Sequence, residues 1–290
     1  MACAGGISAI MPLLSFSHRN LNNTPLMTTV APSKSGTGKK TMRTDRWWLL
    51  PAVTVASLTL FGIYTAVFVL LNKDYLYTKG GASLLSPFYS PDLKSWFGQK
   101  SVGGGFPWAI FVVWMPLVFR ATCYYYRKAY YRSFFLAPPS CAVAGAARRK
   151  YSGETKFPLV VNNLHRFTFY IAVFVVGWLW YDAIKGFIYQ TPTGEAFGIG
   201  LGNIIMVANC VMLSAYTFGC NSWRHLIGGK IDCFSCTAGT RARHGLWQKF
   251  SILNHSHQSW AWISMFGVWF TDIYIRLACA GAFTDPHHIF

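Results

Sequence analysis

"WWLLPAVTVASLTLFGIYTAVFVLL" runs from Trp47 to Leu71 without one charged side chain. In an α-helix each residue rises about 1.5 Å, so a run of this length covers a hydrocarbon core of about 30 Å. It is too long for a strand and lacks the alternation of a barrel strand, so it reads as a transmembrane helix. Four more runs have the same character: Phe106–Tyr126, Phe167–Phe187, Phe197–Gly219 and Ser259–Phe283. The expected fold is an all-α integral membrane protein, a bundle of five transmembrane helices.

Composition supports this reading. Of 290 residues, 53% are apolar, 17% aromatic and only 12% charged, against roughly 25% charged in soluble proteins. So few charges do not cover a soluble surface. The net charge of +17 would point to nucleic acid in a soluble domain. Here the bases sit between apolar runs, so the expected partner is membrane lipid and not nucleic acid.

The bases also set direction. Arg19, Lys34, Lys39, Lys40, Arg43 and Arg46 precede the first span. Arg127, Lys128, Arg132, Arg148, Arg149, Lys150, Lys156 and Arg166 lie between the second and third. Arg224, Lys230, Arg241, Arg243 and Lys249 lie between the fourth and fifth. These segments share one side of a five-span chain, and the intervening loops carry fewer bases. The positive-inside rule puts the N-terminus inside and the C-terminus outside. Residues 1–44 hold no Asp or Glu and are rich in Ser, Thr and bases, the pattern of a mitochondrial transit peptide or of a basic bacterial N-terminus. No small-residue cleavage site follows the first span closely, so it is not read as a removed signal peptide. The expected organisation is a basic segment 1–44, a membrane domain 45–283 and a short tail 284–290.

Polar groups inside spans are expensive and mark interior contacts or pathways. Arg120, Asp182, Asn203, Asn209, Asp272 and Arg276 are such groups. Asp272 and Arg276 are four residues apart, on one helix face, where they can pair as a clamp between helices. Asp182, in the outer half, leaves a polar pocket or proton path open. His165, His225, His255 and His257 fall at the inner ends of spans, near Cys220, Cys233 and Cys236. Inner-face His and Cys suit haem or an iron–sulfur cluster of mixed ligation. Cys233-Phe-Ser-Cys236 alone supports a zinc ribbon weakly, because no second such pair exists. Cys123, Cys210 and Cys279, at or within spans, read as small buried hydrophobes. No G-x-G-x-x-G follows a strand, so the chain holds no flavin domain and is not a dehydrogenase alone.

Several strings resemble one family: "TDRWWLLPAVT" (Thr44–Thr54), "SPFYSPDL" (Ser86–Leu93), "FRATCYYYRKAYYRSFFLAPPSCAV" (Phe119–Val143), "YSGETKFPLVVNNLHRFTFY" (Tyr151–Tyr170), "CNSWRHLIGG" (Cys220–Gly229) and "WAWISMFGVWFTDIYIR" (Trp260–Arg276). They resemble the membrane anchor of the actinobacterial-type succinate dehydrogenases, from about Thr44 to Gly281. The resemblance implies a five-helix subunit of complex II that docks a flavoprotein subunit and an iron–sulfur subunit. Electrons then pass from succinate through FAD and iron–sulfur clusters in those partners to a membrane quinone. It implies a bacterial plasma membrane, with the mitochondrial inner membrane as the alternative.

Some members of that family carry a Rieske-type [2Fe–2S] cluster in the anchor, held by two Cys and two His. Their motif after the fourth span reads C-H-x-C-R-H. Here Cys220, Arg224 and His225 match it, while Asn221 and Trp223 replace the inner His and Cys. The later L-N-x-x-H matches Leu253, Asn254 and His257. Asp92 stands where another family Cys is expected, on the opposite face. The expected ligand set is Cys220, His225 and His257, with Cys233 or Cys236 supplying a second thiolate. Haem b and a cofactor-free quinone-binding anchor stay open beside it. Expected quinone-lining residues are Arg120, His165, Arg166, Arg224, His225, His257 and Trp260, with Trp223 beside the ring. Lys150–Pro158 is the expected docking loop. Rival readings are the cytochrome b of another quinone-linked complex and a non-redox transporter or scaffold. Against the transporter, there is no internal repeat and no pair of broken spans.

Overall fold

The computed structural model describes residues 43–98, 106–138, 140, 143, 155–157 and 159–290. Residues 1–42 and most of Lys150–Pro158 lie outside the described residues, and with them the expected N-terminal segment and docking loop.

Among the described residues, four helices are long and apolar enough to cross a membrane: α1 (Leu49–Leu71), α5 (His165–Lys185, led in by a 3-10 turn from Leu159), α6 (Leu201–Phe218) and α9 (His257–Ala280). They fall where the apolar runs place them, within a few residues. Short elements follow α1, with β1 (Leu76–Tyr77) and β2 (Leu84–Leu85) paired antiparallel and α2 (Leu93–Phe97) capped by the Asp92 side chain. The expected second span, Phe106–Tyr126, contains only α3 (Ile110–Thr122), 13 residues with Pro116 inside. At about 1.5 Å per residue it rises roughly 20 Å. At Cys123 the backbone turns extended (φ −65°, ψ 133°), and α4 (Tyr124–Ser133) leaves as a separate helix. The run "YYYRKAYYRS" is too polar to continue a span, and its three bases suit a surface helix.

After α6 come α7 (Asn221–Gly228) and α8 (Ala238–His255), both on the basic side of the sequence pattern. The core forms where α6 packs on α9 and α5, and α3 packs on α5. α1 stays largely exposed, with only Thr54 and Val69 buried. That suits a helix facing lipid, where an apolar surface needs no cover.

The fold is not all-α. β3 (Ile188–Thr191) and β4 (Gly194–Gly200) form a hairpin, and β5 (His287–Ile289) joins β4 antiparallel in the order β3-β4-β5. Thr191-Pro192-Thr193-Gly194 supplies the turn, with proline and glycine at the positions such turns favour. The expected fourth span began at Phe197, but Phe197–Gly200 belong to β4. A side chain at Gly200 would lie 2.7 Å from the Tyr189 hydroxyl, so the strand-to-helix junction has room only for glycine. Asn203 Oδ1 accepts from Tyr189 OH and from Gly200 N, both at 2.8 Å, and so starts α6. Asp285 accepts from Gly202 N at 2.8 Å and ties the tail 284–290 to the same helix start.

Asp272 and Arg276 form the expected ion pair, Nε to Oδ2 at 2.7 Å, with the carboxylate fully buried. Tyr64 OH donates to Asp272 Oδ2 at 2.6 Å, and Ser86 Oγ donates to Oδ1. Arg276 donates from Nη1 to the Lys73 carbonyl and lies 4.7 Å over Phe68. One carboxylate thus joins α9, α1 and the β2 loop.

Candidate functional site

Two cysteines and two histidines meet at the opposite end of the bundle. Each cysteine ends a span and each histidine starts one. Cys123 sits at the α3–α4 break, and Cys220 at the α6–α7 break with the same extended backbone (φ −70°, ψ 146°). His165 is the first residue of α5 and His257 the first of α9. The helices therefore deliver four donors to one depth.

His165 Nε2 lies 3.0 Å from Cys220 Sγ, and its Nδ1 lies 3.0 Å from Thr122 Oγ1. His257 Nε2 lies 3.8 Å from Cys123 Sγ. Phe119 stacks on His165 (4.7 Å), and Tyr216 stacks on His257 (5.0 Å). Cys123, Cys220 and His257 are buried. Burial pushes the Cys220 thiol up to about 11, the Ser222 N–H opposes that rise, and the neighbouring Cys123 sulfur adds to it. Gly219 lets His257 in: a Cβ there would lie 3.2 Å from His257 Nδ1 and 2.7 Å from the Ala215 carbonyl.

Arg120 frames the pocket. Its Nη1 donates to the Ala261 carbonyl (3.0 Å) and to Tyr126 OH, and its Nη2 donates to Ser264 Oγ (2.9 Å). The guanidinium lies 4.8 Å over the Tyr216 ring. These contacts tie α3 and α4 to the first turns of α9.

Three buried polar atoms around this pocket have no hydrogen-bond partner among the described residues: His257 Nδ1, Tyr216 OH and Trp223 Nε1. Leaving a buried donor unsatisfied costs about 1–3 kcal/mol, so these atoms are open to a partner from outside the chain. Among the described residues no three His, Cys, Asp or Glu side chains gather tightly enough for a single metal ion. A two-iron cluster asks something different, two thiolates on one iron and two imidazoles on the other. Cys123, Cys220, His165 and His257 match that set in kind and number.

The structure thus brings together Arg120, His165, Cys220 and His257 of the expected residues. Trp223 and Trp260 pack against the same cluster. Arg224 is half-buried nearby, donating to Asn254 Oδ1 at 2.8 Å and lying 4.6 Å over Trp247. Arg166 and His225 are exposed, with Arg166 4.7 Å over Phe167. His225 points away because it lies in the second turn of α7, past the break that buries Cys220. Cys233 and Cys236 do not supply the second thiolate. They are joined to each other in a disulfide on the exposed α7–α8 loop. The second buried thiol beside the histidines is Cys123, which the sequence suggests as a small buried hydrophobe. Its signal in the sequence was position, at the inner end of a span and at the depth of the histidines.

No curated protein sequence matches this chain. The family model described as actinobacterial succinate dehydrogenase subunit SdhC matches residues 49–281. A chain of the Mycobacterium smegmatis Sdh1 complex, solved in the apo form, is 37% identical, with a TM-score of 0.76, over 90% of this chain and 98% of that one. With its membrane-crossing helices and this match over most of its length, the chain belongs to the actinobacterial succinate dehydrogenase SdhC family and is the membrane anchor subunit of a succinate dehydrogenase.

Proposed function

We propose that this anchor passes electrons from a partner iron–sulfur subunit to a membrane quinone at the basic end of the bundle, and that Cys123, Cys220, His165 and His257 hold a Rieske-type [2Fe–2S] cluster there. The observation that carries the reading is the convergence of two thiols and two imidazoles beside unpartnered buried donors. When bound, such a cluster exchanges single electrons.

The chain's own residues do the rest. Arg120, Tyr126 and Ser264 hold the start of α9 in place, and so the His257 ring. Phe119, Tyr216 and Trp223 exclude water around the four donors. The quinone binds at the rim, with its ring against Trp223 and Trp260 and an oxygen taking the free Trp223 N–H, a few polar groups in an apolar slot. Arg224 and the exposed Arg166 and His225 lie outward of it, where an imidazole can relay protons to the reduced ring. His165 moves from the quinone lining to the ligand set in this reading, and His257 keeps its place there.

The basic helices α4 and α8 form the docking face for the iron–sulfur subunit, which in turn binds the flavoprotein. Together with the residues flanking it, α3 makes the fifth crossing. The N-terminus then lies inside and the C-terminus outside, in a bacterial plasma membrane.

Low-temperature EPR of the dithionite-reduced complex, purified with its partners, tests the ligand set. A low-average-g signal should appear, vanish in Cys123→Ser and His257→Ala, and persist in Cys233→Ser. Loss of the signal in Cys233→Ser, or a haem b absorption band with no such signal, would overturn the assignment.

A further inference from the structure

At the other end of α5 from His165 lies a cavity of about 310 Å³, at the lower end of the roughly 300–1,000 Å³ typical of ligand pockets. Leu76, Ser83 and Leu85 form its floor, Trp96 and Trp178 one wall, and Asp92, Asp182 and Lys185 its charged edge. The electron path described above uses none of these residues.

The charges decide what fits. Asp182 accepts from Ser90 Oγ through Oδ2. Its Oδ1 has no partner among the described residues and is not sealed off. Lys185 lies one helical turn on, exposed, and makes no ion pair among the described residues. Asp92 adds a second carboxylate, its Oδ1 occupied by the first turn of α2. The cavity therefore offers half-buried carboxylates beside an exposed cation, with Asp182 and Lys185 on one helix face. A ligand that matches has a cation to seat against Asp182 and an anion to meet Lys185.

The surroundings say where such a ligand comes from. Trp96 meets Trp178 edge-on at 4.9 Å, and Tyr181 lines the same mouth. Trp96, Phe97 and Tyr181 are exposed, as is Ile184 on the same helix. Exposed Trp and Tyr at a span end mark the headgroup level of a bilayer. An acyl chain running down the apolar face of α5 has its headgroup at the cavity mouth.

We propose that this cavity binds one aminophospholipid, with its ammonium on Asp182 and Asp92 and its phosphate on Lys185. A quinone fits the charge pattern poorly, because it has no cation to seat against Asp182 and its semiquinone anion would lie beside two carboxylates.

Native mass spectrometry of the purified complex tests this. Phosphatidylethanolamine and phosphatidylglycerol are titrated separately into delipidated samples. One phosphatidylethanolamine should bind at least about fivefold more tightly than phosphatidylglycerol. Asp182→Asn should abolish that preference. Lys185→Gln, an exposed change that leaves the fold intact, should weaken both lipids. Equal binding of the two lipids, an unchanged preference in Asp182→Asn with Lys185→Gln silent, or stoichiometric displacement of the bound lipid by a short-chain quinone would overturn the proposal. The readout involves no electron transfer, so it fails or stands separately from the cluster.

Discussion

The Asp272–Arg276 pair and the His257 site treat their buried polar groups in opposite ways, although Asn203 Nδ2 and Asp285 Oδ2, at the pair's end of the bundle, are also unpartnered. Around Asp272 nearly every valence is met from within: Arg276, Tyr64 and Ser86 surround the carboxylate, and Arg276 leaves only Nη2 unbonded. Around His257 the polar atoms are as deeply buried but incompletely matched, with His257 Nδ1, Tyr216 OH and Trp223 Nε1 left over. Both ends carry residues that sequence reading flags as costly in a membrane. Cost alone therefore does not identify function. The separating question is whether the neighbours already answer the group.

That contrast is open to direct attack. Asp272→Ala leaves Arg276 buried without its counter-charge and should destabilise the anchor by about 3–5 kcal/mol, seen as a lower melting midpoint of the complex in detergent. The double variant Asp272→Leu, Arg276→Met should recover most of that loss, since replacing a buried pair by apolar groups is often near neutral. At the other end, His257→Ala removes a buried ring but strands no charge, and should lower the melting midpoint less than Asp272→Ala does. Succinate-to-quinone activity should fall about 100-fold or more, roughly 2.7 kcal/mol of barrier, while succinate oxidation by an artificial dye in the partner subunits persists. A large stability loss in His257→Ala would erase the distinction between the ends. Tyr64→Phe removes one of three side-chain donors to Asp272 and should cost about 1 kcal/mol without changing quinone kinetics. Trp223→Phe keeps the ring and removes the free N–H, so it should raise the KM for quinone about fivefold, roughly 1 kcal/mol, with stability unaltered.

How much of this was legible beforehand follows from which forces act locally. Spans were legible because lipid demands an unbroken apolar run, and that is a property of adjacent residues. The Asp272–Arg276 pair was legible for the same reason, four residues being one helical turn. The break at Cys123 was not. Phe106–Tyr126 is apolar enough to pass for one span, and the chain instead turns where the tyrosines and bases of α4 begin. The hairpin Ile188–Gly200 reads as loop and span in the sequence, although Pro192 and Gly194 mark its turn. For the site, spacing drew attention to Cys233 and Cys236, which bond to each other. Cys123 and His257, 134 residues apart, meet only through packing of α3 and α4 against α9. No periodicity along one segment carries that information.

The four donors come from four different span ends. His165 and Cys220 are 55 residues apart, and His257 arrives only with the last span. No single hairpin can build the pocket, and neither can the first three spans together. Biogenesis is thereby ordered: whatever occupies the pocket can be loaded only after every span has been inserted and the first turn of α9 has docked on Arg120. A cluster bound as proposed would then certify, in quality-control terms, that membrane insertion has finished.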